Sequence, residues 1–167
     1  MPLLDLLPRR RAVYFVGFLL CAALMAYAFY LQYVEELEPC PLCYFQRLAM
    51  IGLGFVFLAA AIHNPEQRGA WVYASLQLAI GGTGATIAAR HVWIQHLPPE
   101  EVPSCGMGIF YMLDTLPIFD VINKTLAGSG ECAKVDWTFL GLSIPGWNFL
   151  FYLGMISASF VLLKARR

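Results

Sequence analysis

Four apolar blocks, each roughly 20 residues long, constrain this chain more than anything else in it. At 1.5 Å per residue, a helix of that length crosses a hydrocarbon core of about 30 Å. The spans are expected at about 12–34, 41–62, 70–91 and 147–163. Only 13% of the 167 residues are charged and 59% are hydrophobic. Soluble domains are nearer a quarter charged. The expected fold is therefore an all-α membrane protein, a four-helix transmembrane bundle forming one domain over 1–167. Formal net charge is zero, so no basic surface points to nucleic acid. The first block is expected to stay in place as a span. It is too long for the core of a signal peptide, and no small-x-small cleavage site follows it.

The connections set the orientation. An acidic loop at about 35–40 carries Glu35, Glu36 and Glu38. "HNPEQRG" (63–69) is a tight polar turn, and about 95–146 is a long, acidic loop whose cations are Lys124 and Lys134. Arg9, Arg10, Arg11, Arg68, Lys164, Arg166 and Arg167 all fall on the other side. Lys and Arg near span ends stay in the cytoplasm. Both termini are thus expected in the cytoplasm, with both cysteine-bearing loops facing outward.

There are five cysteines. Cys21 lies mid-span and is expected to be a small buried hydrophobe. Cys40 and Cys43 sit in "EPCPLCYFQR", at the mouth of the second span, and Cys105 and Cys132 sit in the long loop. Those four face the side where disulfides persist in a bacterium. Zinc would want a second close pair, and Cys105 and Cys132 are far apart in sequence. A purely structural Cys-x-x-Cys disulfide closes too short a loop to constrain much chain entropy. A structural disulfide is one reading, and pairs at this spacing are more often redox-active. Pro41 suits a first helical position, which puts Cys43 in the first turn. Free N–H groups and the positive dipole end there favour a thiolate.

Arg47 follows one turn later on the same face. An arginine inside an apolar block costs on the order of 3 kcal/mol unless it snorkels or finds a partner. Its functional reading is to stabilise an anion beside Cys43. A dithiol becomes a disulfide only if two electrons leave. The chain has no dinucleotide fingerprint, haem-attachment motif or iron–sulfur ligand cluster to take them. A quinone dissolved in the bilayer fits the position of Cys43. "RHVWIQH" at the end of the third span gathers Arg90, His91, Trp93, Gln95 and His96 near the same surface. Trp93 reads as an interface aromatic. His91 is either an interface residue or a hydrogen-bond donor to a quinone oxygen. "IFYMLDTLPIFDVI" suits a short interfacial segment or packing on the bundle. "TFLGLSIPGW" is expected to re-enter the interface, with Trp147 as anchor. Gly81, Gly82, Gly84 and Ala85 allow close helix approach or leave room for a quinone.

These residues together resemble the disulfide bond formation protein B (DsbB) family, the inner-membrane thiol:quinone oxidoreductases of bacteria. The likeness rests on "PCPLCYFQR", four spans, "RHVWIQ", the cysteine in "PSCGMG" and "ECAKVDWTFLGLSIPGW", in that order. The resemblance implies two redox disulfides, Cys40–Cys43 and Cys105–Cys132. It implies a soluble periplasmic partner of the DsbA type, in a system already known to keep the periplasm oxidising. Carried over, Cys105 is the sulfur that the partner attacks, Cys132 resolves and exchanges with Cys40, and Cys43 meets the quinone beside Arg47 and His91. The implied acceptor is ubiquinone or menaquinone, and a monomer without metal is expected. The vitamin K epoxide reductase group is a less similar alternative, because its Cys-x-x-Cys follows the loop cysteines. A structural protein with an inert loop disulfide would have no need of Arg47 beside Cys43.

Overall fold

Apolar residues all round a helix leave it no soluble solution, and four helices of this kind are present among the described residues. The structure is a computed structural model that describes residues 10–104, 106 and 108–164. Cys105 lies outside the described residues, as do Arg9, Arg166 and Arg167 of the cations counted above. The long helices are α1 (Arg10–Tyr33), α2 (Pro41–His63), α3 (Gln67–Gln95) and α7 (Ile144–Lys164). Between α3 and α7 come α4 (Ile109–Thr115), α5 (Ile118–Ala127) and α6 (Gly130–Ala133), then β1 (Thr138–Phe139) and β2 (Leu142–Ser143).

In the bundle α1 packs on α2, α2 on α3 and α3 on α7. The exterior is apolar: Phe15, Leu19, Phe55, Ile62, Trp71 and Val72 are all exposed. That is the surface of a multi-pass membrane protein, where lipid rather than water covers the outside. Packing inside depends on small residues meeting large ones. A Cβ at Gly17 would stand 2.7 Å from the Phe57 ring. One at Gly84 would stand 2.4 Å from Cζ of the Tyr152 ring. Gly82 faces open space, so the small-residue run of α3 uses only part of its length for contact. Cys21 is buried against Gly54.

Two helices exceed their expected lengths by several residues. The third was expected over 70–91 and runs Gln67–Gln95. At its start, Gln67 accepts from Arg10 Nη2 at 2.6 Å and donates to the Leu163 carbonyl at 3.0 Å, so a polar residue joins three helix ends. At its finish, Ser143 donates to Gln95 at 2.7 Å. The fourth was expected from 147 and begins at Ile144. Pro145 has no N–H to satisfy and suits a first turn.

The stretch expected to re-enter before the last span is a small hairpin. Thr138 pairs with Ser143 and Phe139 with Leu142. Leu140 and Gly141 turn it with φ of 50° and 80°, the both-positive geometry of a two-residue turn. Trp147 Nε1 donates to the Phe139 carbonyl at 3.0 Å, pinning the hairpin to α7. The "IFYMLDTLPIFDVI" stretch forms α4 and α5. Ile109, Met112 and Val121 bury against Tyr44 and Phe45, while Phe110, Ile118 and Phe119 point outward. One face packs on the bundle and the other stays apolar and uncovered, so both readings of this segment describe part of it.

Candidate functional site

Cys40 ends the connection from α1 in an extended conformation, and Pro41 opens α2. This entry places Cys43 in the first turn, where its N–H donates to the Cys40 carbonyl at 3.0 Å. Cys40 Sγ donates to Cys43 Sγ at 3.2 Å. Cys21, Cys40, Cys43 and Cys132 are thiols in this structure.

Cys132 arrives from a distant part of the chain. Gly128, at φ 89°, ends α5 and turns the backbone where a Cβ would strike Ile94. Arg90 helps hold that helix end, donating to the Ala127 carbonyl at 3.2 Å. The turn drops α6 onto α3. Cys132 is then fully buried among Cys40, Leu42, Ile87 and Ile94. Gly130 N–H donates to the Ser104 carbonyl at 3.2 Å, and a Cβ at Gly106 would lie 2.9 Å from Ser129. Both chain neighbours of Cys105 therefore lie against the residues just before Cys132. A hydrogen bond with Cys40, then burial, push the Cys132 thiol well above the ordinary thiol range.

His91 closes the cluster. One of its ring nitrogens, Cys40 Sγ and Cys132 Sγ lie within 4.8 Å of one another, all buried. His91 Nε2 is 3.7 Å from Cys40 Sγ and 3.1 Å from the Cys132 carbonyl oxygen. Two thiols and an imidazole could hold a thiophilic ion. Here, however, Nε2 faces a carbonyl that can only accept, so it carries a proton and offers no lone pair. The arrangement suits thiol–disulfide exchange between Cys132 and Cys40, whose sulfurs are nearly in reach of each other.

Behind His91 stands a residue that sequence reasoning passed over. Gln46 is 1% exposed, deep in an apolar helix. Its Nε2 lies 3.0 Å from His91 Nδ1, and its Oε1 accepts from Asn148 Nδ2 at 2.8 Å. Its carbonyl accepts from the Tyr152 hydroxyl at 2.7 Å. The available signal was an uncharged polar residue inside each of two apolar blocks, Gln46 in the second and Asn148 in the fourth.

Arg47 turns the other way, toward α1. It donates to Gln32 Oε1 and to the Ala28 carbonyl, the latter at 3.2 Å. Its guanidinium lies 5.7 Å from the Phe29 ring centre and 5.8 Å from that of Tyr44. The charge is thus held between α1 and α2, within the wall of a cavity of about 580 Å³. Cys40, Cys43 and His91 also line this cavity, with Leu24, Met25, Met50 and Phe151 as apolar walls. Of the other residues near the end of the third span, Trp93 is exposed and His96 Nδ1 donates to the Val92 carbonyl at 2.8 Å.

The chain is similar over most of its length to known proteins. The family model described as disulfide bond formation protein DsbB matches residues 10–162. A protein of Methylococcus capsulatus named disulfide bond formation protein B is 52% identical over 149 residues, covering 89% of this chain and 91% of the relative. One of the same name from Hahella chejuensis is 54% identical over 144 residues, covering 86% and 87%. A third, from Nitrosococcus oceani, is 50% identical over 149 residues, covering 88% of each.

Proposed function

The chain belongs to the disulfide bond formation protein B family, and on that premise we propose that it oxidises the dithiol of a soluble, thioredoxin-fold partner of the DsbA type and delivers the two electrons to a membrane quinone. The setting is the bacterial inner membrane, with the cysteine-bearing end of the bundle toward the periplasm and both termini in the cytoplasm. One observation carries the reading. The Cys40–Cys43 pair stands between a buried thiol from the long loop and a mostly apolar cavity of about 580 Å³.

The relay balances as follows. The partner's thiolate attacks Cys105 in a Cys105–Cys132 disulfide, and Cys132 leaves as a thiolate. The partner's second thiolate then closes its own disulfide and releases Cys105. Cys132 attacks Cys40 Sγ, forming a Cys40–Cys132 bond, and the electron pair of the broken Cys40–Cys43 bond leaves on Cys43. Cys105 closes back onto Cys132 and frees Cys40. Two electrons, taken from two partner thiols, now rest on Cys40 and Cys43.

A quinone supplies the sink, taking up two electrons and two protons. The residues fit such a group: the walls of the cavity are mostly apolar, and Cys43 and Arg47 both line it. Arg47 stabilises negative charge at the Cys43 end, and the apolar walls exclude water from it. Ubiquinone and menaquinone both satisfy these features.

Trapping tests the first half of the relay. With the partner's second cysteine replaced by serine, nothing releases Cys105 from the bond that the partner's first thiolate makes to it. A covalent complex with that partner variant should accumulate on a non-reducing gel and vanish in the Cys105→Ser variant. No trapped complex with the partner variant, or one that survives Cys105→Ser, would contradict the proposed order.

A further inference from the structure

Polar groups buried in an apolar bundle must settle every donor and acceptor among themselves. Around His91 that requirement has one self-consistent solution for a neutral ring. The Cys132 carbonyl, 3.1 Å from Nε2, can only accept, so Nε2 must carry the proton. Nδ1 of a neutral imidazole is then an acceptor and needs a donor. Gln46 supplies it by turning its amide nitrogen to the ring at 3.0 Å. This leaves Gln46 Oε1 on the far side, where Asn148 Nδ2 donates to it at 2.8 Å. Tyr152, one turn along α7, fixes the backbone of Gln46 through its carbonyl at 2.7 Å. Gln46 is thus gripped at main chain and side chain by the same helix.

We propose that Gln46 and Asn148 are positioning residues that hold His91 as the Nε2–H tautomer, so that its one N–H serves the Cys40 sulfur at the moment Cys40 leaves as a thiolate. The inference rests on the thiol-relay reading above and adds to it a proton-ordering chain that spans α7, α2 and α3. Its place in the reaction is the resolution of the Cys40–Cys132 disulfide. An incoming thiolate bonds to Cys132 Sγ, the Cys40–Cys132 bond breaks, and its electron pair departs on Cys40 Sγ. One thiolate is oxidised into the new disulfide and one sulfur, Cys40, is reduced, so the step is neutral in electrons. His91 Nε2 lies 3.7 Å from that sulfur. A small shift of the ring carries the N–H from the carbonyl to the newly charged sulfur, and charged acceptors make the stronger bond. With the proton on Nδ1 instead, Nε2 would present a lone pair to both the carbonyl and the thiolate, and the leaving group would lose its donor.

Asn148→Asp is nearly isosteric and reverses the far end of the chain. A carboxylate there accepts, so the Gln46 amide must turn its nitrogen away from His91 and show the ring its oxygen. A ring that stays neutral must then carry its proton on Nδ1 and leave Nε2 bare. The experiment uses the full reduced chain in detergent, with ¹⁵N-labelled histidine rings. The sequence has three histidines, and a His91→Phe sample identifies the His91 signals. In the wild type Nε2 should be the protonated nitrogen and Nδ1 the bare one. In Asn148→Asp the Nδ1 signal should move to the protonated position. Asn148→Leu, which removes the donor without adding an acceptor, should give a mixture of tautomers.

A kinetic arm follows release of the Cys40 thiolate by its ultraviolet absorbance. Dithiothreitol is added to the Cys40–Cys132 disulfide, prepared in a chain carrying Cys43→Ser and Cys105→Ser. Release should slow about tenfold in Asn148→Asp, the scale of one lost hydrogen bond at the leaving group. The ring signals need neither partner nor quinone, so their outcome stands apart from the acceptor question. A wild-type ring protonated at Nδ1, or signals and release rates unchanged in both Asn148 variants, would overturn the proposal.

Discussion

The two ends of the bundle are built on opposite principles. At the end where α1 begins and α7 finishes, the interior is mostly apolar, with Gln77 and Ser159 buried in it, and tightly fitted: Tyr14, Phe57, Ala60, Met155 and Leu162 bury one another. Polar contact there is made by Arg10 and Gln67, which tie helix ends together. At the other end Cys40, Gln46, His91 and Cys132 are all buried, and they make their hydrogen bonds inside. Close packing of apolar groups is sufficient to hold helices together in lipid. Buried polar groups are costly there, so their concentration at one end marks where chemistry is done. The first end is a clamp and the second, under the proposed function, is the reaction site, joined by the same four helices.

Substitutions should separate the two ends. The largest expected effect is at the reaction site: Cys43→Ser should abolish acceptor reduction while thermal unfolding stays as in the wild type. Next comes the clamp. Phe57→Ala removes the ring that packs on Gly17 and should cost about 3 kcal/mol of stability, read by denaturant titration in micelles. The molecules that remain folded should turn over normally, and a large loss of activity per folded molecule would break the comparison. Arg47→Ala should raise the KM for quinone roughly tenfold and affect folding less, since its partners lie at the α1–α2 contact beside the cavity. An unchanged KM would make Arg47 part of the clamp, a residue that only joins two helices.

The smallest effect is a pH dependence. With Cys40 a thiol, its hydrogen bond and then burial hold Cys132 protonated, and burial is the cause that persists when Cys40 is in its disulfide with Cys43. A raised thiol pKa means that the thiolate fraction is still climbing where an ordinary thiol, of pKa about 8.5, is almost fully ionised. The single-turnover rate of attack by Cys132 on Cys40–Cys43 should therefore keep rising through about pH 10. A plateau below the ordinary thiol range would show that something else limits the step.

Much of the clamp could be read from the sequence and less of the site. Helix number and order followed from apolar runs, because lipid demands length and composition of any spanning helix. Cys40, Cys43 and Arg47 stood out because their neighbours confine them to a helix mouth. The convergence of Gln46, His91 and Asn148 was not legible. A helix apolar on every side has no stripe to announce which face turns inward, so the rotation of α2 against α7 is set only by packing. His91 was placed at a helix end and in fact lies a turn inside α3, which is why its partners are buried residues. The docking of Cys132 depends on a single turn at Gly128 and on Arg90 holding the end of α5, and neither leaves a periodic mark.

The central claim is that thiol electrons cross this site into a quinone. The direct measurement is the ultraviolet absorbance of a ubiquinone analogue mixed with purified protein and a reduced DsbA-type partner, for wild type, Cys43→Ser and Cys105→Ser. Catalytic loss of the quinone band in the wild type and none in either variant is the predicted result. A band that fades equally in all three, or that survives in the wild type with both ubiquinone and menaquinone analogues, would contradict it.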